Sequence, residues 1–162
     1  MNIKGFKFSA VEAAIKKPGR RDLALIFSEQ PAVAAAVFTT NQVKAAPVLL
    51  SMERVKSGQL QAMVVNSGNA NACTGSQGMA DAKETSRLVA EGLGIPDDAV
   101  FVASTGVIGQ PLPMERVRKG IPPLITGLAT GTLEQLAQAI MTTDTFAKME
   151  SRSGVASGIS YT

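Results

Sequence analysis

The sequence predicts a layered α/β domain of the α+β sandwich kind, and three observations carry that reading. Short apolar runs alternate with stretches of helical spacing, a pattern that favours sheet-and-helix layers over a bundle or a sandwich of sheets alone. The apolar share of 45% leans on Ala, Val, Leu and Ile, with 4% aromatics and no Trp, so the core packs through small side chains. At 162 residues the chain is long enough to bury a sizeable core, and residues 1–162 read as a single domain.

The elements follow in order. Residues 22–27, DLALIF, and 32–38, AVAAAVF, read as two neighbouring strands separated by SEQP, with Pro31 barring a helix. In AAPVLLSMERVKSG, Pro47 suits a first helical turn, Leu49, Leu50 and Val55 supply an apolar face, and Gly58 ends the helix. QAMVVN is a buried strand. Thr74 and Gln77 have capping-box spacing for a helix from Gln77 to Gly92, where Thr85, Leu88, Val89 and Leu93 recur at helical intervals; Gly94 and Pro96 punctuate its end. Residues 99–104, AVFVAS, form a further strand. A short helix MERVRKG is followed by a Pro- and Gly-rich connector, then TLEQLAQAIM with a second capping box at Thr132 and Gln135. The polar, Gly-rich tail 151–162 ends where a strand would begin, so a continuation is expected.

Composition excludes several function classes. The net charge of +3 is scattered, as in IKKPGRRD and MERVRKG, without the interleaved aromatics that base stacking requires, so no nucleic-acid partner is expected. No apolar run has transmembrane length and the N-terminus lacks a signal peptide's apolar core; the expectation is a cytoplasmic protein without membrane contact. One Cys excludes an internal disulfide and a multi-Cys metal site. Zero His excludes a Ser-His-Asp triad, a Cys-His pair and a histidine-ligated zinc within the chain, and no metal is expected.

Three stretches carry polar chemistry. VVNSGNANACTG, residues 64–75, follows a strand and precedes a helix, the arrangement that presents backbone N–H groups to anions; it lacks the Lys-Ser/Thr of a P-loop. Cys73 within it has no His to activate it, and a lone Cys is commonly a small buried hydrophobe. The remaining reading is close-packed backbone, with Gly68 and Gly75 free to take positive φ and Asn66, Asn69 and Asn71 pairing loop amides. ASTGVIG, residues 103–109, ends a strand with Ser104, Thr105 and Gly106: it suits either a turn or an oxyanion hole of fixed donors. MTTDTFAK, residues 141–148, is either a turn capped by hydroxyls or a polar wall for a small zwitterion.

Taken together, FTTNQVKAAPV, VVNSGNANACTG, ASTGVIGQPLPMERV and AIMTTDTFAK closely resemble the N-terminal, or α, portion of the ornithine/glutamate N-acetyltransferases, the bifunctional arginine-biosynthesis family. The resemblance spans nearly the whole chain. It implies a precursor that cleaves itself before a threonine, giving an α chain and a β chain whose new N-terminal Thr is the nucleophile, so that no imidazole is needed. The acetyl group moves from N-acetylornithine to that Thr and then to glutamate; no cofactor is implied, and some members accept acetyl-CoA as co-substrate. The family's oxyanion pair falls on Thr105 and Gly106, and its substrate-contacting threonine on Thr142, with Thr143 beside it. The loop 66–75 then becomes scaffold. The family's further Gly-rich segment, its substrate-binding Lys and its cleavage site are absent after Thr162. An α/β heterodimer, paired into an α2β2 heterotetramer, with a fold related to self-processing aminopeptidases, is the expected assembly. Two other readings remain: a self-processing hydrolase, in which water accepts the acyl group, and a non-catalytic anion-binding module.

Overall fold

The computed structural model describes residues 3–161. Four strands form one sheet in the order β1 (Phe6–Val11), β2 (Leu23–Val33), β3 (Gln59–Asn69), β4 (Val100–Val107). The first three are antiparallel neighbours, while β3 and β4 run parallel. A parallel pair needs a crossover, and α2 (Gly75–Leu93) supplies it. Helices α1 (Ala46–Arg54), α3 (Met114–Thr126) and α4 (Leu133–Ala139) complete the layers, and a small hairpin, β5 (Gly154–Ala156) and β6 (Ile159–Tyr161), closes the described chain.

Strand alternation sorts the sheet's side chains into two layers. Leu23, Leu25, Ala62, Val64, Val100 and Val102 share one core with Val89 of α2 and with Val117, Ile121 and Leu124 of α3. Fully buried leucines such as Leu23, Leu25 and Leu124 each contribute about 1.5–3 kcal/mol. On the opposite face Phe8 and Ala24 pack with Leu136 and Ala139 of α4. The outer edge of β4 is covered by α1: Ser51 Oγ donates to the Val102 carbonyl at 2.9 Å and Arg54 donates to the Val100 carbonyl, so this edge offers no template for another strand there.

Four sequence expectations are corrected. The runs 22–27 and 32–38 are not two strands, because β2 continues through SEQP to Val33. Its pairing with β3 shifts register between Phe27 and Ala32, which is where Pro31, lacking an N–H, is tolerated; residues 34–38 are irregular. Helix α3 does not stop before the proline-rich connector but runs through Pro122 and Pro123, because Gly120, Ile121 and Leu124 on its buried face anchor the turn that the prolines weaken. The Thr74–Gln77 capping box does not form: Thr74 Oγ1 donates to Asn71 Oδ1 at 2.8 Å and Gln77 turns to Asp81. Cys73 is exposed rather than packed inside. The helix ended by Gly58 does form, finishing in a 3₁₀ turn with Gly58 at φ 70°, and the Thr132–Gln135 capping box is present in both directions.

Candidate functional site

The two polar strand ends become neighbours through the parallel pairing of β3 with β4. Ser67 lies opposite Thr105 and Gly68 opposite Gly106. Gly106 has φ 138°, and a Cβ there would collide with the backbone of Gly68 and Asn69; only glycine lets the strands close at this point. A cavity of about 340 Å³ opens at these carboxyl ends, the place where sheets with crossover helices commonly bind ligands. Thr105, Gly106, Thr142 and Thr143 all line it. Thus three residues drawn from segments 36 positions apart, the expected oxyanion pair and the expected substrate threonine, share one pocket.

Three tethers hold the pocket's walls. Ser67 Oγ donates to the Ala139 carbonyl at 2.6 Å, which fixes the end of α4 and hence where residues 141–143 begin. Asp22, 2% exposed, accepts from the Ala13 and Ile15 backbone N–H groups at 2.8 and 2.5 Å. That pairing satisfies a buried carboxylate and sets the loop 12–21 over the pocket. Arg20, on the same loop, donates to the Met141 carbonyl and closes the ring. Beside Thr142, the Lys148 ammonium 2.7 Å from Asp144 holds that carboxyl below the usual carboxylate range, assisted by the Thr142 backbone N–H.

The loop 66–75 has its asparagine side chains bonded within the protein, to the loop itself and to its neighbours. Asn66 Nδ2 donates to the Asn69 carbonyl at 2.8 Å, Asn69 Oδ1 accepts from the Asn71 N–H at 2.8 Å, and Asn71 Nδ2 donates to the Gly78 carbonyl at 2.8 Å. Asn71 is fully buried at φ 44°, a conformation in which Asn is tolerated better than most residues. This is scaffold chemistry, and it reaches the pocket: Ser104 Oγ donates to Asn66 Oδ1 at 2.6 Å, so the network grips the strand carrying Thr105 and Gly106.

Sequence reasoning missed Lys16, Lys17, Arg20, Asp22 and Ser67, all of which line the cavity. By composition the run IKKPGRRD is part of a scattered charge; its clustering of four cations around one Pro-Gly turn, ending in an acid that opens a strand, is the available signal. Among the described residues no group of three His, Cys, Asp or Glu side chains is placed to hold a metal ion, and no helix is long and apolar enough to cross a membrane.

Comparison with known proteins agrees with this geometry. The model of the ArgJ family matches residues 7–161. The arginine biosynthesis bifunctional protein ArgJ of Geobacter sulfurreducens is 68% identical over 162 residues, covering all of this chain and 41% of its own length; that of Syntrophotalea carbinolica is 53% identical over 152 residues, covering 94% and 39%. The chain therefore spans about two fifths of these curated relatives. Among solved structures, ArgJ from Bacillus halodurans superposes with a TM-score of 0.84 at 38% identity, covering 98% of this chain and 83% of that one. Ornithine acetyltransferase from Mycobacterium tuberculosis, solved in complex with ornithine, gives 0.81 at 44% identity, covering 88% and 78%. In sequence along nearly its whole length and in the layered arrangement of its strands and helices, the chain belongs to the ArgJ family.

Proposed function

We propose that this chain is the α part of a glutamate N-acetyltransferase/ornithine acetyltransferase of arginine biosynthesis, supplying the oxyanion hole and part of the substrate site. The observation that carries the reading is the convergence of Thr105, Gly106 and Thr142 on one cavity. In the first half-reaction a threonine hydroxyl at the N-terminus of a complementary β chain attacks the acetyl carbonyl of N-acetylornithine. Negative charge develops on the carbonyl oxygen, and Thr105 and Gly106 donate to it. Such donors contribute about 10²–10³ in rate each, because they are oriented before the charge appears. The C–N bond breaks, the hydroxyl proton passes through a nearby amine to the leaving nitrogen, and ornithine departs. In the second half-reaction the glutamate amine attacks the acetyl-threonine ester through the same oxyanion, the C–O bond breaks, and the threonine hydroxyl is restored. Thr142 holds the amino-acid portion in both.

The complementary chain is proposed to come from the same precursor and to pair into an α2β2 heterotetramer in the cytoplasm. An apolar groove of about 540 Å³ between segment 32–38 and the strands β3 and β4, reaching Met63 and Phe101, supports such a partner; Val33 and Val37 beside it are 96% and 99% exposed. The reaction requires no metal or cofactor, and acetyl-CoA enters only as an alternative donor.

The test is expression of the full-length gene, intact mass and N-terminal sequencing of every chain, and an assay of acetyl transfer from N-acetylornithine to glutamate. A second chain beginning with Thr, together with transfer, is expected. Release of acetate without transfer would point to a hydrolase, and a single unprocessed species would end the acetyltransferase reading. Replacing N-acetylornithine with acetyl-CoA in the same assay reads the alternative donor.

A further inference from the structure

We propose that Ser67 is a positioning residue that holds the substrate threonine, Thr142, in place relative to the oxyanion pair; the inference rests on the acetyl-transfer reading above. Ser67 is 2% exposed and is joined to three separate parts of the cavity wall. It lies opposite Thr105 in the parallel pairing of β3 with β4. Its backbone N–H donates to the Asp22 carbonyl at 2.9 Å, and its Oγ donates to the Ala139 carbonyl at 2.6 Å.

The last of these bonds decides where Thr142 stands. Helix α4 has seven residues, and its start is fixed independently by the capping box at Thr132. Its packing on Phe8 and Ala24 through Leu136 and Ala139 is apolar, and apolar contact is non-directional, so it does not set how far the helix end reaches along the sheet. A hydrogen bond does, because it weakens steeply once donor and acceptor leave alignment. The carbonyls of a helix's last turn have no partner inside the helix; Ser67 Oγ satisfies the one at Ala139 and pins it. Thr142 follows three residues later, with Arg20 donating to the Met141 carbonyl between them. A single strand residue thus fixes both halves of the site, Thr105 through its backbone pairing and the segment of Thr142 through its hydroxyl.

That division predicts which kinetic constant moves. Removing the hydroxyl leaves the pairing of β3 with β4, and with it the oxyanion pair, while freeing the segment that carries Thr142. The hold on the amino-acid portion common to donor and acceptor weakens, and chemistry in the saturated site persists.

The experiment uses the full-length, processed protein with Ser67→Ala, Ser67→Cys and, as a control, Thr132→Ala, which loosens α4 at its far end. KM for N-acetylornithine and for glutamate, acetyl-enzyme formation at saturating N-acetylornithine, and Tm are measured for each. Ser67→Ala should raise both KM values roughly tenfold, the effect of one buried hydrogen bond, with acetyl-enzyme formation at saturation within about threefold of the parent. Ser67→Cys, similar in size and a weaker donor, should fall between the two, and it carries the test where the Ala variant does not process. Thr132→Ala should lower Tm and leave both KM values unchanged. The positioning role is overturned if neither KM moves in the Ser67 variants. It is equally overturned if Thr132→Ala raises both values as far, since the stability of α4 alone would then matter, or if acetyl-enzyme formation at saturation falls as far as the KM values rise. Absence of acetyl-enzyme in the unsubstituted protein would instead overturn the acetyl-transfer reading and this role with it.

Discussion

The ends of β3 and β4 lie side by side, are built from the same small residues, and place Gly68 against Gly106 in register. At the β3 end Ser67 and Gly68 also border the cavity, but its polar side chains are spent: the Ser67 hydroxyl is bound to the Ala139 carbonyl, and Asn66, Asn69 and Asn71 use their amides on backbone carbonyls and on one another. The β4 end is open: beyond Ser104, which is bound to Asn66, Thr105 and Gly106 border the cavity. A strand-to-helix loop rich in Gly, Asn and Ser therefore has no fixed chemistry. Donors already paired within the loop build a wall, and those facing a cavity are available to a ligand.

Substitutions at the two ends should separate these roles. The largest effect is expected from Gly106→Ala, which breaks the close approach of the strands: the added Cβ meets Gly68 and Asn69 backbone, and φ 138° strains any side chain. Acetyl transfer by the full-length protein should fall more than about 10²-fold, with a stability loss of about 3 kcal/mol measured by denaturant titration. Thr105→Ala should lower kcat by about 10²-fold while the unfolding midpoint stays unchanged. Unaltered turnover would remove Thr105 from the oxyanion role.

Asn71→Ala tests the closed end. It strands the Gly78 carbonyl and the Thr74 hydroxyl, so stability should drop by about 2 kcal/mol with kcat at a permissive temperature near that of the parent. A kcat loss as large as that of Thr105→Ala would mean that the two ends are not functionally distinct. The smallest effect lies away from both. Arg118 donates to Glu84 at 2.7 and 2.8 Å and, chiefly through those hydrogen bonds, holds that carboxyl below its ordinary value of 4.5. A depressed carboxylate contributes stability above the free value and loses it as pH falls through the folded value. The slight Tm advantage over Glu84→Gln at neutral pH should therefore close below about pH 4.5, shrink in high salt, and leave acetyl transfer untouched.

The layered class, the strands centred on residues 23–27, 61–66 and 100–104, and the helices begun by Pro47 and capped by Thr132 were legible because local pattern and burial agree there. The first strand, FKFSAV, does not stand out in the sequence: its stability comes from pairing with β2, in the register Phe8 to Ile26, and not from its own propensity. The course of β2 past Pro31 and of α3 past Pro122 and Pro123 was misread for the same reason, since a register shift or a buried helix face overrides a local breaker. Of the cavity's lining, Thr105, Gly106 and Thr142 are reachable through resemblance, whereas the loop 12–21 is not, because its tether from Arg20 to Met141 joins residues 121 positions apart.

By itself the sequence determined which chemistries were closed to this chain. Without histidine and with one cysteine it cannot supply an imidazole base, an internal disulfide or a multi-Cys metal site, and residue type alone decides that. Only the tertiary structure decided which polar groups of the two similar strand ends are already bonded, and that Lys16 and Lys17 line the same cavity as Thr105 and Gly106. The physical reason is that a donor's availability depends on every group within hydrogen-bonding reach, and those groups are brought there by the parallel closure of β3 on β4 across the crossover helix.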